Sequence, residues 1–198
     1  MNESLKPRLP AILCLLLGLL LAGCSAPAEP PPLKGATIGG PFTLTDQNGR
    51  PATERNFAGR WRIFYFGFSH CPDACPTDLA AVAAGLRRFE KEEAGRAAKV
   101  VPVFVSVDPE RDTPPVLKEY VAAFHPRMVG LTGTPQQVAD TAKRYGIYYV
   151  KAEGARRDYN MDHSRYAILF GPDGAPIAQL PTDQGAEAVA RELDRWVK

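Results

Sequence analysis

Trp61-Arg62-Ile63-Phe64-Tyr65-Phe66-Gly67-Phe68-Ser69-His70-Cys71-Pro72-Asp73-Ala74-Cys75-Pro76 is the stretch that decides the fold. Its first part, Trp61 to Phe66, is a nearly continuous apolar run rich in β-formers, as expected of a strand buried on both faces. Two cysteines follow, and beyond them Leu79, Val82, Ala83 and Leu86 recur at helical spacing. The pair therefore sits on a strand-to-helix turn, at the carboxyl edge where open α/β sheets bind ligands.

Upstream, Phe42 to Thr45 followed by Asp46-Gln47-Asn48-Gly49 predicts a strand entering a tight turn, with Asn-Gly as the signal. Downstream, Val100 to Val107 predicts a second central strand, and Pro102 suggests a bulge or strand start. A helix is expected from Pro114, with Leu117, Tyr120, Val121 and Phe124 on one face. Thr134-Pro135-Gln136-Gln137 is a capping-box start for another, which Gly146 should end. Ile147 to Val150, Tyr166 to Phe170 and Ile177 to Leu180 read as strands, the last two joined by Gly171-Pro172-Asp173-Gly174. Val189, Leu193, Trp196 and Val197 mark a final helix. This order describes a mixed α/β sheet with helices on both faces, the order of a thioredoxin-like fold. It carries an extra N-terminal β-hairpin and an inserted helix before the third core strand.

The first residues read as a targeting segment. Lys6 and Arg8 precede an apolar stretch from Pro10 to Ala22 that ends in Leu21-Ala22-Gly23-Cys24. A bilayer span needs about 20 apolar residues, so the stretch suits a signal peptide better. Residues 1–23 are expected to be a lipoprotein signal peptide, with Cys24 the acylated residue; the alternative is an uncleaved anchor. Residues 24–34 form a proline-rich linker, which favours extended geometry at ~3.1 Å per residue. Residues 35–198 make one domain. The expected location is exported and lipid-anchored, on the periplasmic or outer face of a bacterial cytoplasmic membrane. Lys and Arg total 24 against 22 Asp and Glu, a formal charge of +2, so no nucleic-acid footprint is visible.

With Cys14 and Cys24 set aside, Cys71 and Cys75 are the cysteines left to act. A bridge closing so short a loop adds little stability by chain entropy, so a chemical purpose is expected. The helix N-terminus should lower a thiol pKa, Asp73 should oppose this slightly, and Pro72 and Pro76 should stiffen the loop. The spacing suits disulfide exchange and soft-metal binding about equally. His163, in Tyr159-Asn160-Met161-Asp162-His163-Ser164, tips the balance, because it lies in the loop entering the strand Tyr166 to Phe170, and in thioredoxin-like folds that loop faces the active cysteines. Two thiolates and an imidazole suit copper, sulfur favouring Cu(I) and imidazole accommodating Cu(II). Zinc is the nearest competitor. His70 is read as pointing away, His125 as a capping or surface residue, and Met161 as packed.

Phe66 to Pro76, Val105-Ser106-Val107-Asp108-Pro109-Glu110-Arg111-Asp112-Thr113-Pro114 and Asp162-His163-Ser164 together resemble the Sco/SenC family. Ser69 stands where threonine is frequent in that family. The resemblance implies a membrane-anchored copper chaperone with ligands at Cys71, Cys75 and His163. It further implies service to the copper A centre of cytochrome c oxidase, by delivering copper, reducing the target cysteines, or both. The copper A subunit is the implied partner, with periplasmic copper chaperones or thiol reductants as further ones. The alternative is an extracytoplasmic thiol-disulfide reductase, with Cys71 and Cys75 as a redox-active pair able to form a disulfide. Asp108 and Asp112 receive no ligand role; Asp112 is read as helix entry with Thr113 as cap.

Overall fold

The computed structural model describes residues 29–152 and 159–198. The expected signal peptide, acylated Cys24 and linker residues 24–28 lie outside the described residues. The compact unit runs from Pro31 to Lys198. Leu33 ties its start to the body, packing on the core and donating its N–H to the Ile177 carbonyl at 3.0 Å.

Strands β1 (Thr43–Asp46), β2 (Pro51–Thr53), β3 (Trp61–Gly67), β4 (Val100–Ser106), β5 (Val129–Thr132), β8 (Ala167–Phe170) and β9 (Pro176–Leu180) form one mixed sheet, ordered β2-β1-β5-β4-β3-β8-β9. Strand β3 pairs parallel with β4 and antiparallel with β8. All seven of its residues are buried, which is why its sequence shows no polar alternation. The hairpin β1–β2 turns at Gly49, whose φ of 78° suits a residue without a side chain. The arrangement is the expected thioredoxin-like one.

Helices are α1 (Ala74–Glu92), α2 (Pro114–Phe124), α3 (Pro135–Arg144) and α4 (Gly185–Trp196). Side chains alternate along β3 and so divide the core. Phe64 and Phe66 join Phe42, Tyr145 and Phe170 in an aromatic cluster. Tyr65, pointing the other way, reaches Asp78 on α1. Helix α1 packs on α4 so closely that a β-carbon on Gly85 would lie 2.5 Å from Val189. The capping box of α3 forms as expected, Gln137 N–H donating to Thr134 Oγ1 and Thr134 N–H to Gln137 Oε1.

Two expectations need correction, and one strand is absent from the sequence reading. Strand β4 shows no bulge at Pro102, its register with β3 running unbroken from Val100 to Ser106. Pairing with β5 starts only at Val103, so Pro102 sits where the missing donor costs least. Strand β5 itself escapes the sequence reading. The segment Ile147 to Val150 contributes β6 (Tyr149–Lys151), but β6 joins β7 (Met161–His163) in a separate two-stranded sheet rather than the main one.

Candidate metal centre

The site is built where β3 ends. After Gly67 the chain turns, the Cys71 N–H donating to the Phe68 carbonyl at 3.3 Å, and α1 begins at Ala74. Cys71 thus precedes the helix and Cys75 is its second residue. Cys75 is fully buried and Cys71 half-buried, and the two are unbridged. The Cys75 N–H, free because it lies in the first helical turn, donates to Cys71 Sγ at 3.3 Å.

His163 reaches this pair from β7. Its Nε2 lies 3.3 Å from Cys75 Sγ. Its Nδ1 lies 2.9 Å from the Ser164 carbonyl oxygen. A carbonyl can only accept, so that contact assigns the proton to Nδ1 and leaves the Nε2 lone pair facing the sulfurs. Phe68 and Tyr65 hold the imidazole edge-on, at centroid distances of 5.9 and 6.4 Å. The donor atoms of Cys71, Cys75 and His163 all lie within 4.8 Å of one another. A cleft of about 280 Å³ opens beside Cys71 and His163, between Cys71–Ala74 and Asn160–His163, with Arg165 at its edge. A larger hollow of about 510 Å³, near Thr53 and Gln137, contains no cysteine or histidine.

Burial governs the protonation states. It pushes the Cys75 thiol up to about 12 and lowers the His163 imidazole below its ordinary value. For Cys75 this reverses the expected effect of the helix terminus: desolvation of a fully buried sulfur outweighs a partial dipole charge. The imidazole is neutral at pH 7, the form that can donate a lone pair.

The surrounding polar groups form a second layer. Asp112 is fully buried and accepts from the Ser69 N–H at 3.0 Å, from Ser69 Oγ, and from Ser106 Oγ at 2.6 Å. It therefore holds the cysteine loop rather than merely starting α2; Thr113 occupies the cap position without a side-chain cap bond. Asp78, also buried, accepts from Tyr65 Oη at 2.9 Å and from two Arg165 nitrogens at 3.1 Å. Asp108 accepts from Arg111 Nε and from Tyr159 Oη. Sequence reasoning assigned none of these contacts; those of Asp112 to Ser69, Asp78 to Arg165 and Asp108 to Tyr159 join segments distant in the chain.

His70 lies outside the trio, its Nδ1 3.0 Å from Ser69 Oγ and its side chain half exposed. His125 caps α2 as expected but is buried rather than at the surface, with Nε2 3.3 Å from Glu90. Met161 is packed in the core. Three donors of these types, two sulfurs and one aromatic nitrogen, fit a soft or borderline metal ion.

Comparison with known proteins places this geometry in context. The family model described as SCO1/SenC matches residues 30–198. "Protein SCO1 homolog 1, mitochondrial" of Arabidopsis thaliana is 48% identical over 145 residues, covering 73% of this chain and 42% of that protein. "Protein SCO2, mitochondrial" of Saccharomyces cerevisiae is 41% identical over 166 residues, covering 81% of this chain and 54% of that protein. The chain thus spans about half the length of these curated relatives. A solved structure of Arabidopsis thaliana ScoI with copper bound superposes with a TM-score of 0.74 at 40% identity, covering 80% of this chain and 97% of that one. Both curated relatives are mitochondrial proteins, which overturns the expected placement on a bacterial cytoplasmic membrane. Among the described residues no helix is long and apolar enough to cross a membrane.

Proposed function

The chain belongs to the SCO1/SenC family, and from that membership we propose that it is a copper metallochaperone serving assembly of the copper A centre of cytochrome c oxidase. Its cargo is copper, as Cu(I), Cu(II) or both, held by Cys71, Cys75 and His163. One observation carries the reading. Three donor atoms within 4.8 Å of one another come from two segments far apart in sequence, Cys75 and His163 being 88 positions apart. The name of the copper-bound relative supports the choice of metal.

Two thiolates suit Cu(I), and the imidazole extends the site to Cu(II). Three protein donors leave room for an incoming ligand, and the open cleft is where a receiving protein would present it. The receiving protein is the copper A subunit; other copper chaperones or thiol reductants load or reset the site. Titration of reduced protein with Cu(I) against a chromophoric chelator should reveal one tight equivalent. Cys71→Ser, Cys75→Ser and His163→Ala should each weaken it, and unchanged affinity in all three would defeat the reading.

The closeness of the two sulfurs, with donor atoms within 4.8 Å, favours a second role, reduction of a partner's disulfide. The dithiol would give two electrons to that disulfide and close a Cys71–Cys75 bond, its two protons passing to the partner's sulfurs. Cys71, the half-buried sulfur, is the one a partner can meet. Turnover of a disulfide substrate that survives His163→Ala but not Cys71→Ser would establish this role.

A further inference from the structure

Strand β7, which carries His163, belongs to the small β6–β7 sheet and not to the main one. The main-sheet ladder therefore does not fix the imidazole over the cysteines; the β6–β7 ribbon must be held in place by contacts of its own. Tyr159, four residues before His163 on the segment that leads into β7, is anchored on several sides. Its ring lies 3.6 Å from the Arg111 guanidinium carbon and 3.7 Å from Lys151 Nζ, measured to the ring centroid. Its hydroxyl donates to Asp108 at 2.6 Å and stands 3.3 Å from Glu110. Each cation has its own carboxylate, Arg111 with Asp108 and Lys151 with Glu110, so neither is left uncompensated beside the ring.

These contacts have a direction. Asp108, Glu110 and Arg111 belong to the loop that follows β4, and so does Asp112, which grips Ser69 next to the cysteines. One loop thereby holds both ligand-bearing segments, the cysteine loop through Asp112 and the histidine strand through Tyr159. Asp108 is itself buried and held by its own N–H to Ser106 Oγ at 2.9 Å, which makes it a firm anchor. Tyr159 is likewise buried. Cation–π contacts gain strength when desolvated.

We propose that Tyr159 is a positioning residue for His163: clasped by Arg111, Lys151 and Asp108, it sets the imidazole against the two sulfurs, so copper affinity depends on it although it supplies no ligand. The inference rests on the reading that Cys71, Cys75 and His163 bind copper.

The test is a mutant cycle on the whole protein, with copper affinity measured by chelator competition and the sulfur-to-copper charge-transfer band recorded. Tyr159→Leu should weaken copper binding about tenfold, within the range for groups that orient a metal ligand. Tyr159→Phe, which keeps the ring and loses the hydroxyl, should lose less and retain the wild-type band position. In the His163→Ala background Tyr159→Leu should cost nothing further, because its effect passes through the imidazole. Tyr159→Leu binding as tightly as wild type, or losses that add in the double variant, would overturn the proposal. If Tyr159→Leu does not fold, Tyr159→Phe decides alone, by whether it weakens wild type and spares His163→Ala. Unchanged affinity in His163→Ala by itself would instead strike the underlying ligand reading.

Discussion

Gly67 faces Cys75 so closely that a β-carbon on the glycine would lie 2.8 Å from the cysteine sulfur. That carbon would also meet Tyr65 at 3.0 Å and Phe104 at 3.2 Å, so it is crowded on three sides and cannot move away from the sulfur freely. Gly67→Ala should therefore push Cys75 Sγ off its place opposite His163. Overpacking of this kind costs about 1–3 kcal/mol. Chemical denaturation should show that loss, and chelator competition should show weaker copper binding in the fraction that folds.

Copper binding should release protons and tighten as pH rises. Burial pushes the Cys75 thiol up to about 12, so at neutral pH the metal-free sulfur carries a proton that copper must displace. Apparent affinity should then rise by about tenfold per pH unit from this thiol alone across pH 7–9. His163 adds nothing in that window, because burial lowers its pKa and its ring is already neutral there. Affinity flat with pH would contradict the protonated thiol.

The same shift has a stability counterpart in the metal-free protein. A folded pKa above the unfolded value means that the unfolded chain loses the proton first. Stability from Cys75 is thus complete below about pH 9 and declines as pH climbs toward 12. Cys75→Ser should flatten that alkaline limb in denaturant titrations taken at stepped pH.

Asp78→Ala should destabilise more than Arg165→Ala, although the two side chains are partners. Removing Asp78 strands the hydroxyl of buried Tyr65, a loss of about 1–3 kcal/mol. Removing Arg165 costs about 1 kcal/mol or less, since its side chain is 53% exposed. Urea unfolding of the two variants, compared at one pH, checks the order.

Asp112→Ala should leave the Ser69 N–H and the Ser106 hydroxyl without their acceptor. The buried Ser106 hydroxyl, left unsatisfied, costs about 1–3 kcal/mol. Because Ser69 is two residues from Cys71, the copper charge-transfer band should shift as well as the melting temperature fall.

Much of this architecture is legible in the chain because its signals are local. Trp61 to Phe66 announces a buried strand by composition, and Thr134 to Gln137 starts a helix by a bond between neighbours. Strand β5 is hidden because four residues with Gly130 among them show no usable period. Tyr149 reads as a strand residue, but nothing nearby shows that its partner is His163 rather than a strand of the main sheet. The place of its loop before Tyr166 points to His163, and the structure brings it to the cysteines. Asp112, Asp78 and Tyr159 could not be assigned, because their roles exist only after distant segments meet. The thiol of Cys75 went the other way from its expected shift because depth of burial is a property of the folded core.

The two jaws of the site are mounted differently. The sulfurs sit on a frame formed by the central strand β3 and the long helix α1, while the imidazole rides on a ribbon that shares no ladder with that frame among the described residues. Withdrawing the imidazole would therefore reduce the donor set from three to two without breaking a main-sheet pairing. A site assembled this way can change its donor set and keep the core intact.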